Sequence, residues 1–217
     1  RRHTANLRKL MPNVQITVFR QHNRETFTSE VPDAQTNVVY SLEDALAAKP
    51  EAVLICNPAP FHVSTAQNFA EAGAHIFMEK PVSDSLEGLD HLIETCAKRK
   101  LVFFVAYPLR FDTALSNMRD EIVSGEIGRP LLINANVGQY LPDWRPDQDY
   151  RVGVSAQKAL GGGALLELSH EIDYVQWIMG DVTSVVAKLS RDSDLEIDVE
   201  DTVDLSLDFK SGATGSV

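Results

Sequence analysis

Ala52-Val53-Leu54-Ile55-Cys56-Asn57-Pro58 and His75-Ile76-Phe77-Met78-Glu79-Lys80-Pro81 decide how this chain folds. Each is a short, continuous apolar run that stops on a proline turn, the pattern of a strand buried on both faces. Between them, residues 61–72 read as a helix closed by Gly73. After the second, Ser85 reads as the cap of a helix to Lys98, and 101–106 (Leu-Val-Phe-Phe-Val-Ala) is the next strand. Upstream, a helix over 3–11 precedes residues 14–19, whose alternation predicts a strand. Ser41, with Asp44 in capping-box register, opens a helix to Ala48. Strands alternating with helices predict right-handed βαβ units, hence an α/β domain with a doubly wound parallel sheet.

Such sheets bind ligands beyond the carboxyl ends of their strands. Arg20, Asn57-Pro58 and Glu79-Lys80-Pro81 all fall on that edge. In a dinucleotide site an acid after the second strand holds the ribose 2′-hydroxyl, whereas an arginine suits a 2′-phosphate. Phe19-Arg20-Gln21-His22-Asn23-Arg24 is basic, with no acid before Glu25, and favours NADP over NAD. The competing reading is a solvated basic loop. The glycine fingerprint that would precede such a site is not in these residues. Lys80 lies at a strand end, where Pro81 biases it toward extended backbone. There a lysine can donate a proton or a hydrogen bond to a substrate hydroxyl, although a lone strand-end lysine is ordinarily just solvated.

Beyond Ala106 the pattern changes. Residues 112–124 read as a helix ending at Gly125, and 131–137 as a strand. A polar, aromatic loop follows, containing Tyr140, Trp144-Arg145-Pro146 and Tyr150-Arg151. Runs 182–189 and 202–209 then alternate as antiparallel strands do. A boundary at Tyr107-Pro108 divides the chain into domains 1–107 and 108–217. Within the second lies Gly161-Gly162-Gly163-Ala164-Leu165-Leu166-Glu167-Leu168-Ser169-His170-Glu171-Ile172-Asp173. It predicts a flexible loop running into one helix, with Glu167, His170 and Asp173 at steps of three on one face. A carboxylate, an imidazole and a second carboxylate on one stripe form a proton-handling device. The alternative is a buried histidine satisfied by its acidic neighbours.

Composition narrows the classes. The chain carries a net charge of −11, which argues against nucleic-acid or anionic-membrane partners. No apolar stretch is long enough to span a membrane. Its two cysteines, Cys56 and Cys96, form neither a disulfide framework nor a metal-ligand pattern. No apolar leader opens the chain, so the expected location is the cytoplasm. It opens without a helix cap and stops within a hairpin, so it is expected to be part of a longer protein.

The ordered set Asn57-Pro58…His62, Glu79-Lys80-Pro81, Leu109-Arg110-Phe111 and the 161–173 segment resembles the Gfo/Idh/MocA oxidoreductases over essentially the whole chain. The resemblance implies a Rossmann domain lacking its first strand and Gly-rich turn. It further implies an α+β domain with a largely antiparallel open sheet, incomplete at its C-terminal end. Hydride would pass between NAD(P) and a hydroxyl or keto carbon of a sugar, sugar acid, nucleotide sugar or polyol. Lys80 would lie near the nicotinamide and the reacting hydroxyl, and His170 would be the general acid/base. Cys56, Asn57, Pro58, His62 and Glu79 would line the cofactor's nicotinamide half. Arg110, Trp144, Arg145, Tyr150, Arg151 and Asp173 would face the substrate. Many members carry an Asp four residues before the histidine; here that place is Leu166, and Glu167 would serve in its stead. A homo-oligomer, dimer or tetramer, would form through the C-terminal sheet. Leu168-Ser169-His170 looks most like a branch associated with bacterial surface-sugar biosynthesis. NAD-dependent glycoside hydrolysis and a non-catalytic binding relative are the alternatives, and without the Gly-rich turn the chain alone should bind cofactor poorly.

Overall fold

A computed structural model describes residues 2–20 and 36–217. The first half runs α1 (Arg2–Leu10), β1 (Ile16–Phe19), β2 (Thr36–Val39), α2 (Leu42–Ala47), β3 (Ala52–Ile55), α3 (His62–Glu71), β4 (His75–Glu79), α4 (Leu89–Arg99) and β5 (Phe103–Ala106). Every pairing here is parallel: β1 with β2, and β3–β4–β5 in that order. Among the described residues the parallel strands therefore form two sheets, β1–β2 and β3–β4–β5. β2 escapes the sequence reading because Thr36-Asn37-Val38-Val39 is neither an apolar run nor an alternation.

The strands are apolar because α3 and α4 cover them. Ile55, Ile76 and Met78 pack with Val63, Phe69, Leu92 and Cys96 in one core, where each large side chain contributes roughly 1.5–3 kcal/mol by burial. The Ser41 hydroxyl caps α2 as expected, accepting from the Asp44 N–H at 3.0 Å. The helix expected from Ser85 starts instead at Leu89. Ser83 and Ser85 turn their hydroxyls onto the N–H groups of Ser85 and Glu87, and Gly88 enters the left-handed region at φ +73°. These local bonds favour a turn over a helix.

The second half runs α5 (Thr113–Ser124), β6 (Leu132–Asn134), α6 (Leu141–Trp144), three 3₁₀ turns, α7 (Ala164–Glu167), α8 (His170–Met179), β7 (Val182–Ser190), β8 (Thr202–Phe209) and β9 (Thr214–Ser216). Its sheet has the order β6–β9–β8–β7. β7, β8 and β9 are antiparallel neighbours, and β6 joins β9 in parallel. Leu205, Leu207 and Phe209, alternate residues of β8, are buried against Val175, Ile178 and Met179 of α8. The face carrying Asp204, Ser206 and Asp208 is exposed. This packing fixes α8, and so the height at which His170 stands. Among the described residues no helix is long and apolar enough to cross a membrane.

Candidate active site

The carboxyl ends of β3, β4 and β5 bring Cys56-Asn57-Pro58, Glu79-Lys80-Pro81 and Tyr107 to one edge, as a parallel sheet must. The Lys80–Pro81 peptide is cis. Lys80 Nζ donates to the backbone carbonyl of Glu167 at 2.7 Å, linking the parallel sheet to α7. An ammonium has three donors, so two remain for other acceptors.

His170 is the first residue of α8, within reach of the Lys80 charge. The Tyr107 ring lies edge-on to it with centroids 5.7 Å apart, and the Tyr107 and Ser169 hydroxyls are 3.4 Å apart. Desolvation lowers the His170 pKa below its ordinary 6.5, and the Lys80 charge lowers it further; Glu171, Asp173 and Glu79 oppose the shift. The ring is therefore neutral at neutral pH and able to accept a proton. Its Nδ1 is buried without a hydrogen-bond partner.

The single helical stripe expected across Glu167, His170 and Asp173 is not what the chain forms. Leu168, at φ −103° and ψ 28°, separates α7 from α8. The two segments answer to different partners, α7 to Lys80 and the loop before β8, α8 to the sheet. The Glu167 carboxylate accepts from the Ser155 hydroxyl at 3.1 Å rather than from His170. Asp173 accepts a bidentate pair from Arg110, both bonds at 2.8 Å, so these two expected substrate contacts hold each other. The triglycine loop is packed rather than flexible. All three glycines are buried, and a Cβ on Gly161 would lie 2.9 Å from Pro60 in the turn after β3.

His62 lies inside the fold. Its ring is 2 % exposed and bonded at 2.8 Å to the Pro81 carbonyl and 2.7 Å to that of Asn57. It ties the two strand-end turns together from inside. A neutral ring donates to one of these carbonyls, an imidazolium to both. The Asn57 amide nitrogen donates to Thr65 at 2.9 Å, which leaves its Oδ1 buried and unpartnered. Glu79 accepts from His3 at 2.6 Å and lies 3.7 Å from Arg2, both at the start of α1. Cys56 is exposed, yet desolvation and the Glu79 carboxylate push its thiol up to about 11, so it stays protonated.

Arg20 closes β1 and donates its N–H to the Val39 carbonyl at 3.0 Å; the basic run that follows, residues 21–25, lies outside the described residues. In the aromatic loop, Arg151 pairs with Asp149 and Glu196, both at 2.8 Å, and the Tyr150 hydroxyl accepts from the Glu196 N–H. Arg145 is exposed with no ion pair among the described residues, and the Trp144 indole N–H is buried without a partner. Trp144, Ser155, Gly163, Glu167 and Glu200 border a cavity of about 410 Å³ beside α7. Tyr107, Ser169 and Glu200 were not singled out in the sequence. Tyr107 had one available signal, its place immediately after an apolar strand.

Residues 1–107 match the family described as an oxidoreductase family with an NAD-binding Rossmann fold, and residues 115–217 match the Gfo/Idh/MocA C-terminal domain. The chain belongs to the Gfo/Idh/MocA oxidoreductase family. An uncharacterised oxidoreductase of Bacillus subtilis, YrbE, is 34% identical over 75% of this chain and 46% of its own length. Myo-inositol 2-dehydrogenase of Thermotoga maritima is 30% identical over 77% of the chain and 48% of the relative. The chain thus spans about half the length of these curated Gfo/Idh/MocA relatives. Among solved structures, the WlbA dehydrogenase of Chromobacterium violaceum, in complex with NADH and UDP-GlcNAcA, superposes with a TM-score of 0.85. It is 25% identical, over 99% of this chain and 62% of that one.

Proposed function

We propose that the protein carrying this chain is an NAD(P)-dependent dehydrogenase acting on a CH–OH carbon of a sugar, sugar acid, nucleotide sugar or polyol. The observation that carries this reading is the meeting of Lys80, at the end of a parallel strand, with α7 and α8 of the following domain. There its charge acts on a desolvated His170. Domains 1–107 and 108–217 each supply one member of the pair.

The residues fit a nicotinamide at this edge. Asn57 Oδ1 and His170 Nδ1 are buried polar atoms left without partners, as expected where a polar group binds. Cys56, Asn57, Pro58 and Glu79 border the nicotinamide half, and Arg20 supports NADP over NAD. When bound, the nicotinamide supplies the hydride acceptor or donor. Lys80 uses its remaining donors to orient the reacting hydroxyl. Neutral His170 takes the hydroxyl proton during oxidation and returns it during reduction, the Tyr107 ring bounding its position. Glu167 contributes through its carbonyl, which holds Lys80.

Arg110 and Arg151 are engaged by acids, whereas Arg145, with Trp144 and Tyr150 nearby in sequence, has no ion pair among the described residues and suits an anionic substrate. A sugar acid or nucleotide sugar fits that arrangement, a reading supported by the ligands of the WlbA structure. We place the enzyme in the cytoplasm, as a homo-oligomer assembled through the exposed face of the C-terminal sheet; light scattering measures that assembly. The test of function is full-length protein with NADP⁺ or NAD⁺ against a panel of nucleotide sugars, sugar acids and polyols. Formation of reduced nicotinamide with one of these classes is expected. No turnover with any of them, in either direction, overturns the reading.

A further inference from the structure

Glu200 lies in the loop before β8, remote in sequence from every residue of the reacting pair. Its Oε1 accepts from the Leu165 N–H at 3.0 Å, and its backbone carbonyl accepts from the Ala164 N–H at 3.0 Å. These are the first two residues of α7, which has no capping side chain of its own. Gly163 makes the approach possible: at φ +106°, a Cβ there would lie 2.6 Å from Glu200 Oε2. A lone helical turn is unstable in isolation, so what grips the ends of α7 sets its position. Glu200 grips the first end. At the other, the Glu167 carbonyl receives Lys80 Nζ at 2.7 Å and the Glu167 carboxylate receives the Ser155 hydroxyl.

We propose that Glu200 is a positioning residue for the Lys80–His170 pair: it fixes the first turn of α7, the turn fixes the Glu167 carbonyl, and that carbonyl fixes Lys80 Nζ. Its effect on turnover rests on the function proposed above; its effect on geometry does not. A plain helix cap would stabilise the fold and leave the pair undisturbed. A positioning residue changes what His170 feels. Among the described residues, the charges acting on His170 are Lys80, Glu171, Asp173 and Glu79, with the Tyr107 ring beside it. Glu200 is not among them, so loss of its own charge leaves the imidazole in place, whereas displacement of Lys80 does not.

Two variants separate reach from charge in the full-length protein. Glu200→Asp keeps the charge but falls one methylene short of Leu165. Glu200→Gln keeps the reach and its acceptor oxygen but loses the charge. The His170 titration is followed by NMR, and kcat and cofactor KM are measured alongside. E200D is expected to raise the His170 midpoint toward its ordinary value and to lower kcat ~10-fold or more, with cofactor KM within about twofold. E200Q is expected to stay within about threefold of wild type in kcat, with an unmoved midpoint. Where E200D does not fold, Gly163→Ala displaces the same carboxylate from the opposite side and should give the same rise. A folded E200D or G163A that titrates like wild type overturns the proposal, as does an E200Q that behaves like E200D. A midpoint shift in a protein without dehydrogenase turnover upholds the positioning and refutes the function instead.

Discussion

Replacing His62 by alanine tests whether the two strand-end turns are held together from inside. The ring is 2 % exposed and bonds the carbonyls of Asn57 and Pro81 at 2.7 and 2.8 Å. A neutral ring donates to one of these carbonyls, and that bond contributes ~1 kcal/mol net. Removing the buried ring also leaves a cavity at the start of α3, which adds ~2 kcal/mol or more. The expected loss is therefore about 3 kcal/mol. For a chain of this length each kcal/mol shifts Tm by roughly 2–4 °C, so Tm should fall by ~10 °C, measurable by circular dichroism with urea titrations alongside. His62→Asn retains one polar contact and should lose about half as much. A loss below ~1 kcal/mol for His62→Ala would refute the reasoning, because a buried, hydrogen-bonded ring cannot be removed that cheaply. If the ring only lined a cofactor, stability would hardly change and cofactor affinity alone would fall.

Two further outcomes follow from charges in the second half. Desolvation works against the Asp201 carboxylate, but bonds from the Ser193 hydroxyl, the N–H groups of Asp192 and Ser193 and the Thr202 hydroxyl outweigh it and hold its pKa at about 2. Its contribution is thus complete above the ordinary 3.8 and is lost as pH falls from there through about 2; Asp201→Asn should flatten the stability–pH curve in that window, as read by denaturant midpoints. Asp173→Asn should cost about 1 kcal/mol, less than a fully buried charged pair because Arg110 is 43% exposed. In a double-mutant cycle with Arg110→Ala, most of that cost should vanish.

The parallel half was legible because its strands are apolar runs bounded by proline turns, and the periodicity of β8 was equally plain. Lys80 and His170 stood out as chemistry-bearing residues at predictable places. Partner choice was not legible. Glu167, His170 and Asp173 have helical spacing, yet Ser155, Arg110 and the break at Leu168 give each a different neighbour. Glu200 reaches α7 across 35 residues of sequence, and no local pattern announces such a contact. The three glycines signalled a flexible loop, but packing of Gly161 against Pro60, Gly162 against the Val154 and Ser155 carbonyls and Gly163 against Glu200 shows why no side chain is tolerated there. His62 was placed at a strand-end turn, but its bridge between the Asn57 and Pro81 carbonyls depends on a contact 19 residues away that no local pattern announces.

The central claim is that His170, desolvated and under the charge of Lys80, carries the proton while hydride moves. The most direct measurement is the pH dependence of hydride transfer in full-length protein with its oxidisable substrate, wild type against His170→Ala, followed by the absorbance of reduced nicotinamide. Wild type should lose rate only below a midpoint under 6.5, as the imidazole becomes protonated. The variant should be slower by ~10²-fold or more and should lack that midpoint. A variant within about threefold of wild type, or one that keeps the same acid limb, would contradict the account.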